Sequence, residues 1–152
     1  MGLRVRLHKK VNGFALDIEW QIGNELAVLF GFSGAGKSMT LQLIAGLLKP
    51  DNGQLSLDDS VYFDSSTGTN LPPQERPFGY VFQDLALFPH MTVLQNILYG
   101  AAILPKAVAI SDKIIVYEQG KIAQIDSPER IKNSPANIYV SNLIAYDERN
   151  IY

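Results

Sequence analysis

The sequence contains no cysteine, only two histidines and no surplus of positive charge. The absence of cysteine excludes disulfides and thiolate metal sites, and His8 and His90 lie too far apart in sequence to suggest a local metal pair. With 13 basic and 15 acidic residues, the formal net charge is −2, and the basic cluster near the start is mild. We therefore expect no nucleic-acid partner.

Long apolar runs are also missing. No run approaches the roughly 20 residues of a membrane-spanning helix, and polar residues stand where a signal peptide would have its apolar core. These two features favour a cytoplasmic protein. The 152 residues, of which 47% are hydrophobic, are sufficient for one globular domain with a core.

One motif stands out in what remains. Residues 31–38 read Gly-Phe-Ser-Gly-Ala-Gly-Lys-Ser, the phosphate-binding loop pattern G-x-x-x-x-G-K-[ST]. Its glycines allow successive backbone N–H groups to turn toward phosphate oxygens. Lys37 supplies a positive charge, Ser38 offers a hydroxyl to Mg²⁺, and the following helix adds the positive end of its dipole. The predicted phosphate-binding residues are Gly31, Phe32, Ser33, Gly34, Ala35, Gly36, Lys37 and Ser38.

The sequence around the loop predicts a strand before it and a helix after it. Leu26 to Phe30 is an unbroken apolar run, typical of a strand buried on both faces, and residues 38–48 carry apolar side chains at helical spacing. A glycine-rich turn with an accidental lysine is the alternative. The order strand, loop, helix favours phosphate binding because it is the order that the mechanism requires.

Alternation of apolar and polar residues and the positions of turn residues predict the other elements. Half-exposed antiparallel strands are expected before the loop, and short strands, a surface loop and a hairpin are expected after it. The predicted strands lie at 3–7, 14–20, 54–57, 61–63, 79–82, 113–117 and 121–125, and the surface loop at 64–73. Capping patterns predict a helix over 93–99 and a last helix that opens at Ser134-Pro135.

The chain resembles the ATP-binding subunits of ABC transporters. Four stretches carry this resemblance, at residues 31–47, 71–84, 87–97 and 111–122. Within that family, the chain is most similar to the molybdate importer subunit, although sulfate, polyamine and sugar importer subunits share much of the pattern. The residues behind this narrower likeness are 62–73, 82–84 and 134–137.

The resemblance implies an α/β fold, namely a P-loop NTPase core of the ABC ATPase type with an N-terminal antiparallel β-subdomain. It also implies ATP and Mg²⁺ as ligands, membrane permease subunits as partners, and a homodimer. A subunit of this kind would lie in the cytoplasm against the inner face of the cell membrane.

The resemblance further implies roles for individual residues. The loop would hold the β- and γ-phosphates, with Ser38 and Gln83 at the metal; Gln83 stands at the family's Q-loop, which touches Mg²⁺ or the attacking water. The alternative for Gln83 is an ordinary polar residue at a strand end. Phe14 either stacks on adenine, a contact worth about 1 kcal/mol, or faces the core. Met39 replaces a hydroxyl residue that would reach the α-phosphate, so weaker nucleotide binding is expected.

Several of the family's parts are absent. The sequence lacks a helical subdomain, the Leu-Ser-Gly-Gly-Gln signature, a strand ending in Asp-Glu, and a switch histidine. The residues most similar to the acidic pair are Asp58-Asp59, but the alternation of apolar and polar residues before them is typical of a half-exposed strand. We interpret the chain as one truncated domain, with residues 1–100 and 107–152 as its two parts and 101–106 as the junction of an internal deletion.

This deletion has two expected consequences. ATPase activity should be near background, because the catalytic carboxylate is absent and positioned acid–base groups contribute typically about 10²- to 10⁴-fold. The strand at 26–30 should have an exposed apolar edge and the chain should be marginally stable, because two neighbouring strands are missing. Three functions remain open, namely a transporter ATPase, a nucleotide-binding module without catalysis, and a nonfunctional deletion remnant.

Overall fold

A computed structural model describes residues 2–80 and 111–149, with the backbone alone for 146–149. Two sheets and three α-helices lie within these ranges. The strands are β1 (Leu3–Val11), β2 (Phe14–Ile22), β3 (Ala27–Phe30), β4 (Asn52–Leu57), β5 (Ser60–Asp64), β6 (Thr69–Asn70), β7 (Lys113–Glu118) and β8 (Lys121–Asp126). The helices are α1 (Lys37–Ala45), α2 (Pro128–Asn133) and α3 (Ile138–Arg149).

An antiparallel sheet of order β2-β1-β4-β5-β6 forms the N-terminal part. The β1–β2 hairpin turns at Asn12 and Gly13, both with positive φ, as a two-residue hairpin turn requires. Alternate side chains of β1 and β2 are buried, as the sequence pattern predicted. The predicted antiparallel β-subdomain is therefore confirmed.

The segment after β5 differs in part from prediction. The expected surface loop contains the short strand β6 and ends in a 3₁₀ turn at Pro73–Glu75. Gly79 and Tyr80 lie outside any strand, contrary to the strand predicted over 79–82, whose remaining residues lie outside the described ranges. The chain here is fixed by side-chain contacts instead, since Phe78 packs edge-on against Tyr62 with 5.4 Å between ring centroids.

The second sheet has the order β3-β7-β8. β3 pairs in parallel with β7, and β7 forms the predicted antiparallel hairpin with β8. Ile114 to Tyr117 are buried, whereas all four residues of β3 are only half-buried, so the expectation of a strand buried on both faces was wrong. In the described part of the chain β3 also has a partner strand on one edge only.

The helix boundaries follow local capping. α1 ends at Ala45, three residues before the predicted end, because Gly46 adopts a left-handed conformation and the Leu47 N–H donates to the Gln42 carbonyl at 2.9 Å. α2 was not predicted; its N-cap is Ser127, and Pro128 occupies its first turn.

The last helix begins later than predicted. Ser134 closes α2 by donating its N–H to the Arg130 carbonyl at 2.9 Å, and the next helix begins only at Ile138. Asn137 caps that helix, and its side-chain oxygen accepts the Val140 N–H at 2.9 Å. The prediction of a helix start at Ser134 was therefore wrong.

Candidate phosphate-binding site

Residues 31–38 connect the carboxyl end of β3 to the first turn of α1, as the sequence predicted. Gly31 and Gly36 have φ values of 154° and 106°. A Cβ at Gly31 would lie 2.5 Å from the Tyr117 carbonyl oxygen, and one at Gly36 would lie 2.5 Å from a Leu16 methyl carbon. Gly31 therefore requires glycine for packing as well as for backbone conformation, whereas Gly36 requires it for its positive φ.

Lys37 lies across its own loop. Its Nζ donates to the carbonyl oxygens of Gly31 at 2.7 Å and of Phe32 at 2.9 Å. Partial burial lowers the pKa of this ammonium group, because desolvation disfavours its charged form. The cation thus draws the loop into a ring at the positive end of α1, the geometry in which an anionic phosphate is favoured.

The other predicted residues of the loop region occupy distinct environments. Ser38 is exposed on the first turn of α1, and Phe32, Ser33 and Gly34 are also exposed. Ala35 is buried, and Met39 is half-buried against the core. Thr40 carries a hydroxyl one residue after Met39, but this hydroxyl is buried and donates to the Gly36 carbonyl at 3.0 Å, so it does not replace the missing group.

Two buried hydrogen bonds lie close to the loop, and the sequence did not predict them. The Trp20 indole N–H donates to the Tyr117 hydroxyl at 3.0 Å. The Thr40 hydroxyl donates to the carbonyl of Gly36, the last glycine of the loop. All three side chains are buried, and burial raises the pKa of the Tyr117 phenol, which keeps it protonated.

The C-terminal part of the chain supports the loop from outside. The Tyr139 hydroxyl donates to the Tyr117 carbonyl at 2.8 Å and accepts the Phe32 N–H at 3.4 Å, and the Tyr139 ring packs edge-on against Phe32. In the β7–β8 turn, the Gly120 N–H donates to the Ala35 carbonyl at 3.1 Å. The sequence offered one signal in this region, namely Tyr117 at the end of an apolar strand, because a buried hydroxyl needs a hydrogen-bond partner.

A pocket of about 590 Å³ lies beside the loop and includes Phe14. Loop residues form one wall, and Gln119, Lys121 and Tyr139 form another. Phe14 is half-buried, and its ring also packs against the core. Its location is compatible with both sequence interpretations, so adenine stacking stays a prediction.

The remaining site predictions fall elsewhere. Gln83 and the junction at 101–106 lie outside the described residues. Asp58 lies in the β4–β5 turn of the five-stranded sheet, where its carboxylate accepts the Gly2 N–H at 2.6 Å. In residues 2–80 and 111–145, whose side chains are described, no group of three or more His, Asp or Glu side chains is arranged to hold a metal ion.

A parallel strand, a glycine loop closed by lysine and a helix that starts at the loop together define a P-loop protein of the α/β class. The family model described as ABC transporter matches residues 16–143. The chain belongs to this family.

The similar curated proteins are named as importer subunits. Over 105 residues the chain is 42% identical to the molybdenum import ATP-binding protein ModC of Paramagnetospirillum magneticum, a match that covers 69% of this chain and 29% of that protein. Over 100 residues it is 45% identical to the molybdate/tungstate import ATP-binding protein WtpC of Archaeoglobus fulgidus, covering 66% of this chain and 39% of that protein. The chain thus spans well under half the length of these relatives.

Solved structures share the fold. A nucleotide-free ATP-binding cassette from an ABC transporter aligns with a TM-score of 0.65 and 16% identity, covering 95% of this chain and 99% of that one. A dimeric cassette bound to ADP and phosphate in a post-hydrolysis state aligns with a TM-score of 0.57 and 14% identity, covering 84% of this chain and 99% of that one. These likenesses confirm the predicted ABC ATPase fold. Among the described helices, none has the length and apolar character needed to cross a bilayer.

Proposed function

We propose that this chain binds ATP with Mg²⁺ on residues 31–38 and is an ATP-binding subunit of an ABC importer for molybdate or a similar oxyanion. The observation that carries the proposal is the closed loop at the start of α1, in which Lys37 is held on the Gly31 and Phe32 carbonyls. Ser38 and Gln83 are the proposed metal contacts, and Phe14 the proposed adenine contact. The names of these relatives support molybdate as the solute.

The proposed location and partners of the chain rest on the same similarity to importer subunits. An importer subunit works in the cytoplasm on the inner face of the membrane, in contact with permease subunits, and the dimeric cassette with a shared fold supports a homodimer. We further propose an internal deletion at 101–106 that leaves hydrolysis defective. A binding module without turnover, which occupies the permease in place of an intact subunit, is the second candidate, since the loop is formed whereas the signature sequence is absent.

The proposal predicts that Mg-ATP binds to the purified chain and that Lys37→Ala removes this binding, because the loop then loses its only side-chain cation. Isothermal calorimetry measures both. Lys49→Ala is the matched control, since Lys49 is exposed beyond the far end of α1 and should bind as the parent does.

Two outcomes would contradict the proposal. Binding that survives Lys37→Ala would place the nucleotide elsewhere. The absence of heat together with an unfolded circular dichroism spectrum would identify a deletion remnant that does not fold.

A further inference from the structure

We propose that Tyr139, in the first turn of α3, is a positioning residue that holds the start of the phosphate loop from outside. Its partner in the loop, Phe32, lies 107 positions earlier in the sequence, and the loop pattern itself contains no such residue. The inference rests on the proposed nucleotide binding, and it gives the C-terminal helix a part in that binding.

The Tyr139 hydroxyl joins the loop to the strand beside it. It donates to the main-chain carbonyl of Tyr117 at 2.8 Å and accepts the Phe32 N–H at 3.4 Å. A phenolic hydroxyl can make both bonds at once, because it has one hydrogen to donate and lone pairs to accept. The short bond fixes the hydroxyl on β7, and the longer bond reaches the second residue of the loop from that fixed point.

The Tyr139 ring contacts the same loop residue. It packs edge-on against the Phe32 ring, with 5.6 Å between the centroids and 81° between the planes, which is a favoured arrangement for two aromatic rings. The core does not enclose Phe32, whose side chain is 43% exposed. Tyr139 therefore contacts both the main chain and the side chain of Phe32.

Tyr139 is itself held in place by its neighbours in the fold. The side-chain oxygen of Asn137 caps the helix by accepting the Val140 N–H at 2.9 Å, and Val140 is fully buried. Just before the helix, the Gln124 side chain on β8 accepts the Ala136 N–H at 2.8 Å. Because these contacts fix the segment on both sides of Tyr139, its hydroxyl can restrain the loop instead of following it.

This restraint acts on a carbonyl group that holds Lys37. The Phe32 carbonyl accepts the Lys37 Nζ at 2.9 Å, while the N–H of the same residue donates to Tyr139. A shift of Phe32 would therefore displace one of the two carbonyl oxygens that contact the ammonium group. A tyrosine that only packed α3 against β7 would need the bond to Tyr117 and not the bond to Phe32.

Tyr139→Phe tests the inference, because it removes the hydroxyl and keeps the ring against Phe32. The Kd for Mg-ATP, measured by calorimetry, should rise about threefold to tenfold, which is within the effect of one lost neutral hydrogen bond, because the loop must then be ordered during binding. Hydrogen exchange of the amides of residues 31–36, measured without nucleotide and relative to the amides of β1 and β2, should be faster.

Two controls separate positioning from a general loss of stability. Ile131→Val trims a buried residue of α2 in the cluster that includes Val140, and it should lower the Tm about as much as one lost hydrogen bond. Tyr62→Phe makes the same chemical change at a buried tyrosine of the other sheet. Both controls should keep the parent's Kd and relative loop exchange.

The positioning role is overturned if Tyr139→Phe keeps either the parent's Kd or the parent's loop exchange. A raised Kd with parental exchange would mean that Tyr139 contacts the nucleotide directly, since it lines the pocket that includes Phe14. If the parent binds no Mg-ATP, the proposed function fails and the exchange measurement alone decides the inference. Faster loop exchange in Tyr139→Phe then supports it, and parental exchange refutes it.

Discussion

At the scale of single residues, Lys37 contacts carbonyl oxygens of its own loop and would also contact a bound phosphate. Without a ligand its ammonium group lies on the carbonyl oxygens of Gly31 and Phe32, and its pKa is lowered because it is partly buried. A phosphate would add the negative partner that these neutral carbonyls do not supply. The charged form of Lys37 is therefore needed for binding, although burial makes that form easier to lose than in an exposed lysine.

This predicts a loss of nucleotide affinity at alkaline pH. The affinity should be complete below the pKa of Lys37 and should fall as pH rises through it, and the fall should begin below the ordinary lysine value of about 10.4 because burial lowers the pKa. Calorimetric titrations of Mg-ATP between about pH 8 and 10 measure this.

Lys37→Arg is the matched control, because a guanidinium stays charged throughout this range. Its affinity should be weaker but flat with pH. An equally steep fall in the Lys37→Arg variant would attribute the effect to another group.

At the scale of secondary-structure elements, the C-terminal end of α1 is held by a distant residue. Its last carbonyls accept hydrogen bonds from the buried guanidinium of Arg76, which donates to Leu43 and Ile44 at 2.9 Å each. The same guanidinium donates to the Leu71 carbonyl at 2.8 Å. A cation at a helix C-terminus is favoured by the helix dipole as well as by these bonds.

Removal of this cap should destabilise the chain. Arg76→Met keeps much of the apolar volume but leaves buried carbonyls without donors, so we expect a loss of about 2–4 kcal/mol in the free energy of unfolding. Urea unfolding followed by circular dichroism measures the loss.

The same change at an exposed arginine is the control for this prediction. Arg130→Met removes an ion pair with Asp126 at 3.7 Å, in which the arginine side chain is 75% exposed, and should change stability by less than about 0.5 kcal/mol. Equal losses in the two variants would show that the buried contacts of Arg76 add nothing.

The elements that could be predicted from sequence are those whose signals are local. The alternation of β1 and β2 and the loop pattern each occupy a few consecutive residues, and the structure confirms these elements. Ser134-Pro135 misled the prediction because a serine can close one helix as well as open the next. The roles of Tyr117 and Tyr139 could not be predicted, because they depend on segments that meet only after β3 pairs with β7.

At the scale of the whole molecule, the proposed phosphate site lies where the two sheets meet. The five-stranded sheet contributes Phe14 and Leu16 beside the loop, and the three-stranded sheet contributes β3 and the β7–β8 hairpin. A main-chain bond of 2.8 Å from the Asp17 N–H to the Gly120 carbonyl joins them. The proposed site thus draws on both sheets, whereas Asp58 and Asp59 lie in the β4–β5 turn, where the Asp58 carboxylate accepts the Gly2 N–H.

We therefore expect phosphate binding without appreciable hydrolysis. Phosphate release from Mg-ATP by the purified chain should not exceed that of the Lys37→Ala variant, because the sequence lacks the Asp-Glu pair that the resemblance implies for orienting the attacking water. A colorimetric phosphate assay with both proteins tests this. Turnover by the parent that disappears in Lys37→Ala would contradict the expectation.

The pairing of β3 with β7 also sets an order of events during synthesis. Roughly 80 residues separate the end of β3 from the start of β7, so at about 5–20 residues per second the ribosome adds β7 on the order of 5–15 s after β3. Throughout that interval β3 and the loop that follows it have been synthesised, whereas their partner strand β7 has not. The pairing of β3 with β7 therefore waits until translation has delivered the later strand.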